Sequence, residues 1–593
     1  MKLLGEIFRF AVPSGHDSDP TPRNPMAEAV AACRTHFRYA LIFSALINIG
    51  YLAPTLYMLQ VYDRVVASGS VTTLLFLTVI LAVTLATISM LDGTRQRLLL
   101  TASIQLDKLF SSRVFQSALR RSGPRAQVAQ FTRDFDTVRA TATGPAAVAL
   151  FDAPWLPIYV IVCFVVHPAI GALALAGSLL MLGLAVLNER ATTASYAGLS
   201  EASAGVNGVL DVTGGSADLV RALGMSEAFT AQFERARDRV NEPMLQAAYT
   251  TGRIQGLLRF FRLLLQSLAL GLGAWLAVTH QISAGAIFAS SMLVSRALSP
   301  VDQVVAQWRP ISLAAAAYQR LSRALGNEPD RTYTQLPAPA ARLAVSHVSV
   351  ASPEPGRLLL RDISLAAEPG SVVGVIGPSG AGKTTLLQTI ANVRPAEYGS
   401  LLIDGMRYTD WPADRLARHI GYMPQDYVLF PGTIKDNICR FDSWLEHGRL
   451  DTDMATVVAA QLAGAHEMIL GLPKGYDTVI GAGGQGLSAG HRQRIALARA
   501  VYGDPVICVL DEPNSVLDAD GEAALMNTIR ALKARGRIVI FSAHRENMLA
   551  VTDHLAVLNG GLLQAFGTTE QVVRQLNAPR PAPSRDMIAA SGV

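Results

Sequence analysis

Six hydrophobic stretches, two long basic connections between them and a complete phosphate-binding loop near the middle of this 593-residue chain predict a two-part fold. The first part is expected to be a membrane α-helical domain of six transmembrane helices, the second a cytoplasmic α/β P-loop domain fused to it. Half the residues are hydrophobic and only 16% are charged, against about 25% in soluble proteins. With a mean hydropathy of +0.30, a large part of the chain avoids water. The length exceeds what one core holds, so two or more domains are expected. Cys33, Cys163, Cys439 and Cys508 are scattered and form no CxxC pair, which argues against a disulfide framework or a zinc site and suits a reducing cytosol.

Residues 1–37 are polar, contain prolines and show no cleavable signal peptide, so they read as a short cytoplasmic segment. The membrane domain is expected over 38–325, with spans near 38–60, 73–93, 145–165, 168–188, 258–280 and 283–300, the last interrupted by Arg296. Each is close to the roughly 20 apolar residues a crossing requires. Arg95, Arg97, Lys108, Arg113, Arg120, Arg121, Arg125, Arg133 and Arg139 lie between spans two and three, and Arg190, Arg221, Arg235, Arg237, Arg239 and Arg253 between spans four and five. The turns around His167 and His280 carry no Lys or Arg, and the turn after span one only Arg64. The positive-inside rule therefore places both long connections and both termini in the cytoplasm. The basic pI of about 9.0 has the same origin, so no nucleic-acid partner is expected. Asp152, at the start of span three, either faces a substrate path or caps its helix, and the cap is the expected role. Pro154 and Pro157 are expected to begin and kink that helix.

Residues 326–341, which open on Gly326-Asn327 and carry Pro329, Pro337 and Pro339, read as a linker, 342–575 as the nucleotide-binding domain and 576–593 as a disordered tail. Gly377, Pro378, Ser379, Gly380, Ala381, Gly382, Lys383 and Thr384 fit G-x-x-x-x-G-K-[ST] without a mismatch. They follow the apolar run 372–376 and lead through Thr385 into a helical pattern. Glycines let backbone N–H groups turn inward on phosphates, and the helix start adds its positive dipole end. Lys383 suits the β- and γ-phosphates and the Thr384 hydroxyl Mg²⁺. A second apolar strand ends in Asp511, suited to the Mg²⁺ shell, and Glu512 follows, placed to polarise an attacking water.

Upstream, Leu487-Ser488-Ala489-Gly490-His491 runs into Arg492-Gln493-Arg494-Ile495-Ala496, which resembles the signature sequence of ABC ATPases. Gln425 matches that family's Q-loop, Asp518 its D-loop and His544 its switch histidine, and six spans with two long cytoplasmic loops resemble an ABC exporter. The resemblance implies that ATP is held by residues Gly377 to Thr385 of one copy and by Ser488 and Gly490 of a second. Thr384, Gln425 and Asp511 would hold Mg²⁺, with Glu512, His544 and Gln425 in catalysis. In such exporters the tips of the loops dock on the ATPase, here near 131–136 and 218–222. The stretches 57–66 and 151–159, together with Asn514-Ser515 after Pro513, are similar to the protease/lipase branch of type I secretion transporters. That branch implies a homodimer in the bacterial inner membrane, surrounded by membrane lipid and joined to a periplasmic membrane-fusion adaptor and an outer-membrane channel. The substrate would be an unfolded secreted polypeptide with a C-terminal signal. A lipid or small-molecule flippase on the same fold is the alternative; a leader-trimming exporter would need a peptidase domain for which 1–37 is too short.

Three departures stand out. Ala489 and His491 replace glycine and glutamine in the signature, and Ala489 fits only at negative φ. Ala482 stands where exporters carry a glutamate that senses the coupling helices, and Ser352 where they carry the aromatic that stacks on adenine.

Overall fold

The computed structural model describes residues 31–120, 125–325, 337–352, 356–445, 451–543 and 546–577. The chain divides into two compact units, 1–330 and 331–593. His544, most of the N-terminal segment, residues 326–336 of the expected linker and 578–593 of the expected tail lie outside the described residues.

The first unit is helical throughout. Its helices are α1 (Arg34–Gly50), α2 (Ala53–Gln60), α3 (Val71–Arg120), α4 (Arg125–Thr143), α5 (Pro145–Asp152), α6 (Leu156–Val166), α7 (Pro168–Gly215), α8 (Ala217–Ala222), α9 (Ser226–Val278), α10 (Ala284–Ala306) and α11 (Trp308–Leu325). Among the described residues six segments are long and apolar enough to cross a membrane, and each expected span falls on one of them. Helices α3, α7 and α9 run for 50, 48 and 53 residues. At about 1.5 Å per residue they extend far past a hydrocarbon layer of about 30 Å. The long basic connections are thus continuations of the spans.

The second arm reverses at α8, at the expected place. The first does not reverse at 131–136, which forms the middle of α4. Phe131, Phe135, Val138 and Ala142 recur at helical spacing and turn inward, Phe135 and Val138 joining a core with α1, α3, α5 and α11. Asp134 is buried there and accepts from Arg320 Nε and Nη2, each at 2.7 Å. An apolar stripe with a paired acid belongs to a core; residues 121–124, between α3 and α4, lie outside the described residues.

Asp152 neither caps a helix nor stands alone. Its Oδ1 accepts from Asn48 at 2.8 Å and from Arg95 Nη1 at 3.1 Å. Arg95 also donates to Ser44 (2.7 Å) and Asp92 (2.6 Å), and the Tyr159 hydroxyl donates to the Asn48 side-chain oxygen at 2.9 Å. This knot ties α1, α3, α5 and α6 together, with Arg95 and Asp152 only 4% and 6% exposed. An acid at a helix start whose chain enters a packed bundle is drawn to a buried cation ahead of its own backbone. Pro154 and Pro157 stand in the first turns of a 3₁₀ segment and of α6, as expected. Arg296 is accommodated within α10 because its guanidinium lies 4.1 Å over the Tyr51 ring.

Near the turn between the first two spans the chain winds as a π-helix over Val61–Val66. Asp63 there accepts from Ser283 Oγ (2.6 Å) and Gly285 N (2.7 Å), capping α10 from another span. A Cβ on Gly285 would meet Leu59 O at 2.6 Å, so glycine is what lets the two elements close. Tyr62 stacks on Phe288 at 4.4 Å.

The second unit is α/β. Strands β1 (Leu343–Ala351), β2 (Leu358–Ala367), β3 (Val372–Ile376), β4 (Tyr398–Ile403), β5 (Met406–Arg407), β6 (Ile420–Met423), β7 (Gly432–Thr433), β8 (Val479–Ile480), β9 (Ile507–Leu510), β10 (Ile538–Ser542), β11 (His554–Asn559) and β12 (Leu562–Thr568) build it. The main sheet runs β12-β11-β3-β10-β9-β6, and a second runs β2-β1-β4-β5. Strands β11, β3, β10, β9 and β6 are parallel to one another, and β12 pairs antiparallel with β11 at the edge. They are near-continuous apolar runs because both faces are covered.

Arg95 is paired with both Asp152 and Asp92, so removing it leaves the buried Asp152 carboxylate without its cation, at a cost of about 3–5 kcal/mol. Arg95→Met is therefore expected to lower the thermal unfolding midpoint of the detergent-solubilised protein sharply. Arg95→Met with Asp152→Asn should be less damaging than Arg95→Met alone.

Candidate functional site

Parallel strands that share a register end on one edge, and this edge collects the chemistry. Ser542 pairs with Val375, Phe541 with Leu510, and Leu510 with Met423, so β3, β10, β9 and β6 finish side by side. Past those ends come, in spatial order, the glycine loop 377–382, Ala543, Asp511 with Glu512, and Gln425. The carboxyl ends of parallel strands are where such sheets bind ligands.

The glycine loop leads into α12 (Lys383–Ile390), capped by Gly382 in a left-handed conformation. Gly377 packs so tightly that a Cβ would sit 2.2 Å from Leu558 O. Lys383 is 6% exposed and donates from Nζ to Gly377 O at 2.8 Å and Pro378 O at 3.1 Å, so the ammonium lies inside the loop. Thr384 and Thr385 occupy the first turn of α12, whose leading N–H groups have no intrahelical acceptor.

Asp511 is 1% exposed. Its Oδ1 accepts from Ser542 Oγ at 2.8 Å, and its Oδ2 is buried without a hydrogen-bond partner. Burial pushes its carboxyl above the usual carboxylate range, while the hydroxyls of Ser542 and Thr384 act in the opposite sense. An orphaned carboxylate oxygen beside a threonine hydroxyl is an all-oxygen donor set that fits Mg²⁺, which takes few protein ligands and keeps several waters. Glu512 has φ +49°, a left-handed backbone that residues other than glycine seldom adopt. Its N–H donates to Ser542 Oγ at 2.7 Å. Ser542 thus fixes both acidic residues, a role its sequence position alone did not reveal; the signal was its place at the end of the strand that leads to His544. Gln425 is exposed, two residues beyond β6. His544, expected beside them, lies outside the described residues, next to Ala543.

Ser488 and Gly490 stand apart from this edge, at the N-terminus of α13 (Ala489–Val501). Ser488 caps the helix by accepting from His491 N at 3.2 Å, and Ala489 has the negative φ that a substitution for glycine demands. A Cβ on Gly490 would meet nothing within 4 Å, and its φ is not positive. Among the described residues no contact requires glycine there. Gln493 on the same helix is 1% exposed and donates to Pro513 O, tying α13 to the segment after Glu512; it is a second link that sequence reasoning missed. Ala482 begins a 3₁₀ turn before α13.

Ser352 follows β1, and its N–H donates to Arg357 O at 2.8 Å across the β1–β2 hairpin. That hairpin borders the phosphate loop, since a Cβ on Gly382 would meet Leu360 Cδ2 at 2.7 Å. The position expected to face the base therefore carries a hydroxymethyl group in place of a ring.

Comparison with known proteins agrees with this geometry. Residues 360–515 match the family model described as ABC transporter, and 37–301 the model described as ABC transporter transmembrane region. The chain is 39% identical over 578 residues to the type I secretion system ATP-binding protein PrsD of Rhizobium meliloti (strain 1021), covering 96% of this chain and 97% of that one. It is 30% identical over 550 residues to the cyclolysin secretion/processing ATP-binding protein CyaB of Bordetella pertussis, covering 90% of this chain and 75% of the relative. Among solved structures, a bacterial Atm1-family ABC exporter with ATP bound superposes with a TM-score of 0.77 at 21% identity, covering 92% of this chain and 97% of that chain.

Two outcomes are expected at this site. Gly490→Val should leave the thermal unfolding midpoint unchanged or slightly raised, since valine is the better helix former. ATP turnover should nonetheless fall at least about a hundredfold, as it does when reacting groups are displaced by an ångström or so. Ser352→Tyr should lower the Kd for ATP at least about fivefold, the smaller end of what a base–aromatic stack contributes; titration with a fluorescent ATP analogue reads it.

Proposed function

Because this chain belongs to the type I secretion ABC transporters, we propose that it is the exporter half that moves an unfolded polypeptide, carrying a C-terminal signal, out of a Gram-negative cell. The family couples ATP hydrolysis to export, and this chain is a multi-pass membrane protein with the ATPase on the same polypeptide. Its working form is a homodimer in the inner membrane, joined to a periplasmic adaptor and an outer-membrane channel. The domain limits are 38–325 for the membrane part, 342–575 for the ATPase and 326–341 for the linker between them. The observation that carries the reading is the single sheet edge holding Lys383, Asp511, Glu512 and Gln425, on a chain that also supplies six membrane-length helices.

The phosphates of ATP bind across residues Gly377 to Thr385. Lys383 already points into the loop, so its ammonium meets the β- and γ-phosphates with little reorganisation. Thr384, Asp511 and Gln425 hold Mg²⁺, which when bound neutralises charge building on the phosphates. The left-handed backbone of Glu512, pinned through its N–H by Ser542, aims the carboxylate to accept a proton from the attacking water. His544 steadies the γ-phosphate. Ser488 and Gly490 close the site from the second copy, which accounts for a glycine whose own surroundings do not ask for one. Closure requires that ATP bind the joined state more tightly than the open one, because equal affinity for both would shift nothing.

Glu512→Gln removes the base while keeping size and hydrogen bonding. ATP hydrolysis by the purified protein is expected to fall by about 10²–10⁴. In cells one or a few polypeptides should vanish from the medium and accumulate inside, read by comparing the secreted proteins with those of the unsubstituted strain. An unchanged set of secreted proteins with a loss of lipid or drug export would replace this reading with that of a flippase.

A further inference from the structure

The last turn of α13 is held by an arginine from outside the helix. Arg440 donates from Nε to Arg499 O, from Nη2 to Ala500 O and from Nη1 to Ala417 O, each at 3.1 Å. The first two carbonyls lie in the closing turn of α13, and the third in the closing turn of the helix Ala413–His419 that leads straight into β6. Carbonyls in a last helical turn have no intrahelical donor, and a cation there also meets the negative end of the helix dipole. Among the described residues the hydrogen bonds of Arg440 all go to main-chain carbonyls, so the guanidinium is a planar clamp on two helix ends at once. Strand β6 presses on the same point, since a Cβ on Gly421 would run into Ala500 O.

The backbone around the clamp is held just as firmly. Arg440 and Phe441 have φ of +55° and +63°, a left-handed conformation that residues other than glycine seldom adopt and that persists where the surroundings impose it. Phe441 sets its ring edge-on to Phe430 and Trp444. Asn437, fully buried, accepts from Phe430 N at 2.8 Å and donates to Phe430 O at 2.9 Å. Helix α13 reaches back from its own side: Arg499 donates to Val428 O at 2.9 Å and lies 5.7 Å from the centre of the Phe430 ring. The segment after Gln425 is thus stapled to one end of the helix whose other end carries Ser488 and Gly490. Ala417 precedes β6 and Ala500 precedes β9, so the clamp stands toward the amino ends of these strands, away from the edge that holds Asp511.

We infer that Arg440 is a positioning residue that sets α13, and with it Ser488 and Gly490, for the ATP site of a second copy. The packing of α13 through Ile495, Ala496, Ala498 and Ala500 is apolar and non-directional, and small side chains let a helix slide with little loss of contact. Three hydrogen bonds from one planar group fix its height and its rotation together. The helix holds 13 residues and is about 20 Å long, a stiff rod that carries a shift at the clamped end to the end bearing Ser488. The proposal rests on the reading in which Ser488 and Gly490 close the site of another copy. It adds that Arg440 of each copy governs turnover in its partner's site and not in its own.

The test uses full-length copies bearing two tags of different size, one copy with Arg440→Met, purified through both tags so that only mixed dimers remain. Vanadate with 8-azido-ATP arrests the nucleotide in a hydrolysing site. Irradiation then attaches it to the copy whose β1–β2 hairpin faces the base, which is the copy that supplies the phosphate loop. The Arg440→Met copy is expected to keep its label, because its partner's α13 is intact. The unsubstituted partner is expected to carry at least about tenfold less, within the hundredfold that an ångström of misplacement costs. An arginine with only a structural role would weaken the copy that bears the substitution. Equal labelling of the two copies, or loss of label from the variant copy alone or from both, overturns the inference and leaves the two-copy reading standing. Arg440→Lys, which keeps the cation without the planar fork, replaces Arg440→Met if that variant does not reach the membrane, and the same asymmetry is expected. If the two tags do not co-purify, the two-copy reading falls and the inference with it.

Discussion

A buried backbone N–H or C=O must find a partner, and that requirement shapes both halves of this chain. In the membrane half it is met inside each helix, because hydrocarbon offers no water to hydrogen-bond. Three of the spans therefore run unbroken into long arms, and several buried polar side chains among the helices are paired to one another. In the nucleotide half the same requirement is deliberately unmet at one place. A glycine loop and the first turn of α12 leave N–H groups without intrahelical acceptors, and phosphates are the ligands that complete them. One rule thus seals the first half and opens the second.

Polar pairing in the membrane half shows how little freedom remains once the backbone is satisfied. Asp152, Arg95, Asn48, Ser44 and Tyr159 share hydrogen bonds across several helices, and Asp63 reaches from one span to cap another. Each arrangement fixes neighbours relative to one another by direction as well as by contact. Apolar packing alone would permit sliding. The stretches 57–66 and 151–159, read in the sequence as marks of a branch, contribute Asp63, Asp152 and Tyr159 to these two arrangements, which gives the resemblance a physical content.

Much of the fold and site was legible in the sequence. The phosphate loop, the acidic pair after β9, the signature and the six spans are local patterns whose chemistry travels with their spacing. What the sequence did not reveal depends on which strands lie side by side. The order β3-β10-β9-β6 is not the order of the chain, so nothing local announced that Ser542 would bind both Asp511 and the Glu512 backbone. Gln493 and Pro513 meet for the same reason. The tip of the first arm was placed near 131–136 by resemblance alone, whereas Phe131, Phe135 and Val138 recur at helical spacing and turn that stretch into a core. Asp152 read as a helix cap because its partner, Arg95, is far away in sequence and on another helix.

Helix α9 has a mechanical consequence. It holds 53 residues in one continuous run, interrupted in its backbone bonding only by Pro243. About 30 of those residues precede its apolar end, a rod of roughly 45 Å. Tilting such a rod by about 5° swings its tip by about 4 Å, close to the rise of three helical residues. Rotation of the apolar end and translation of the far tip are then one motion seen at two radii. The gain of this lever is set by helix length, so adding or deleting whole turns changes stroke and force in opposite directions without altering a single contact at either end.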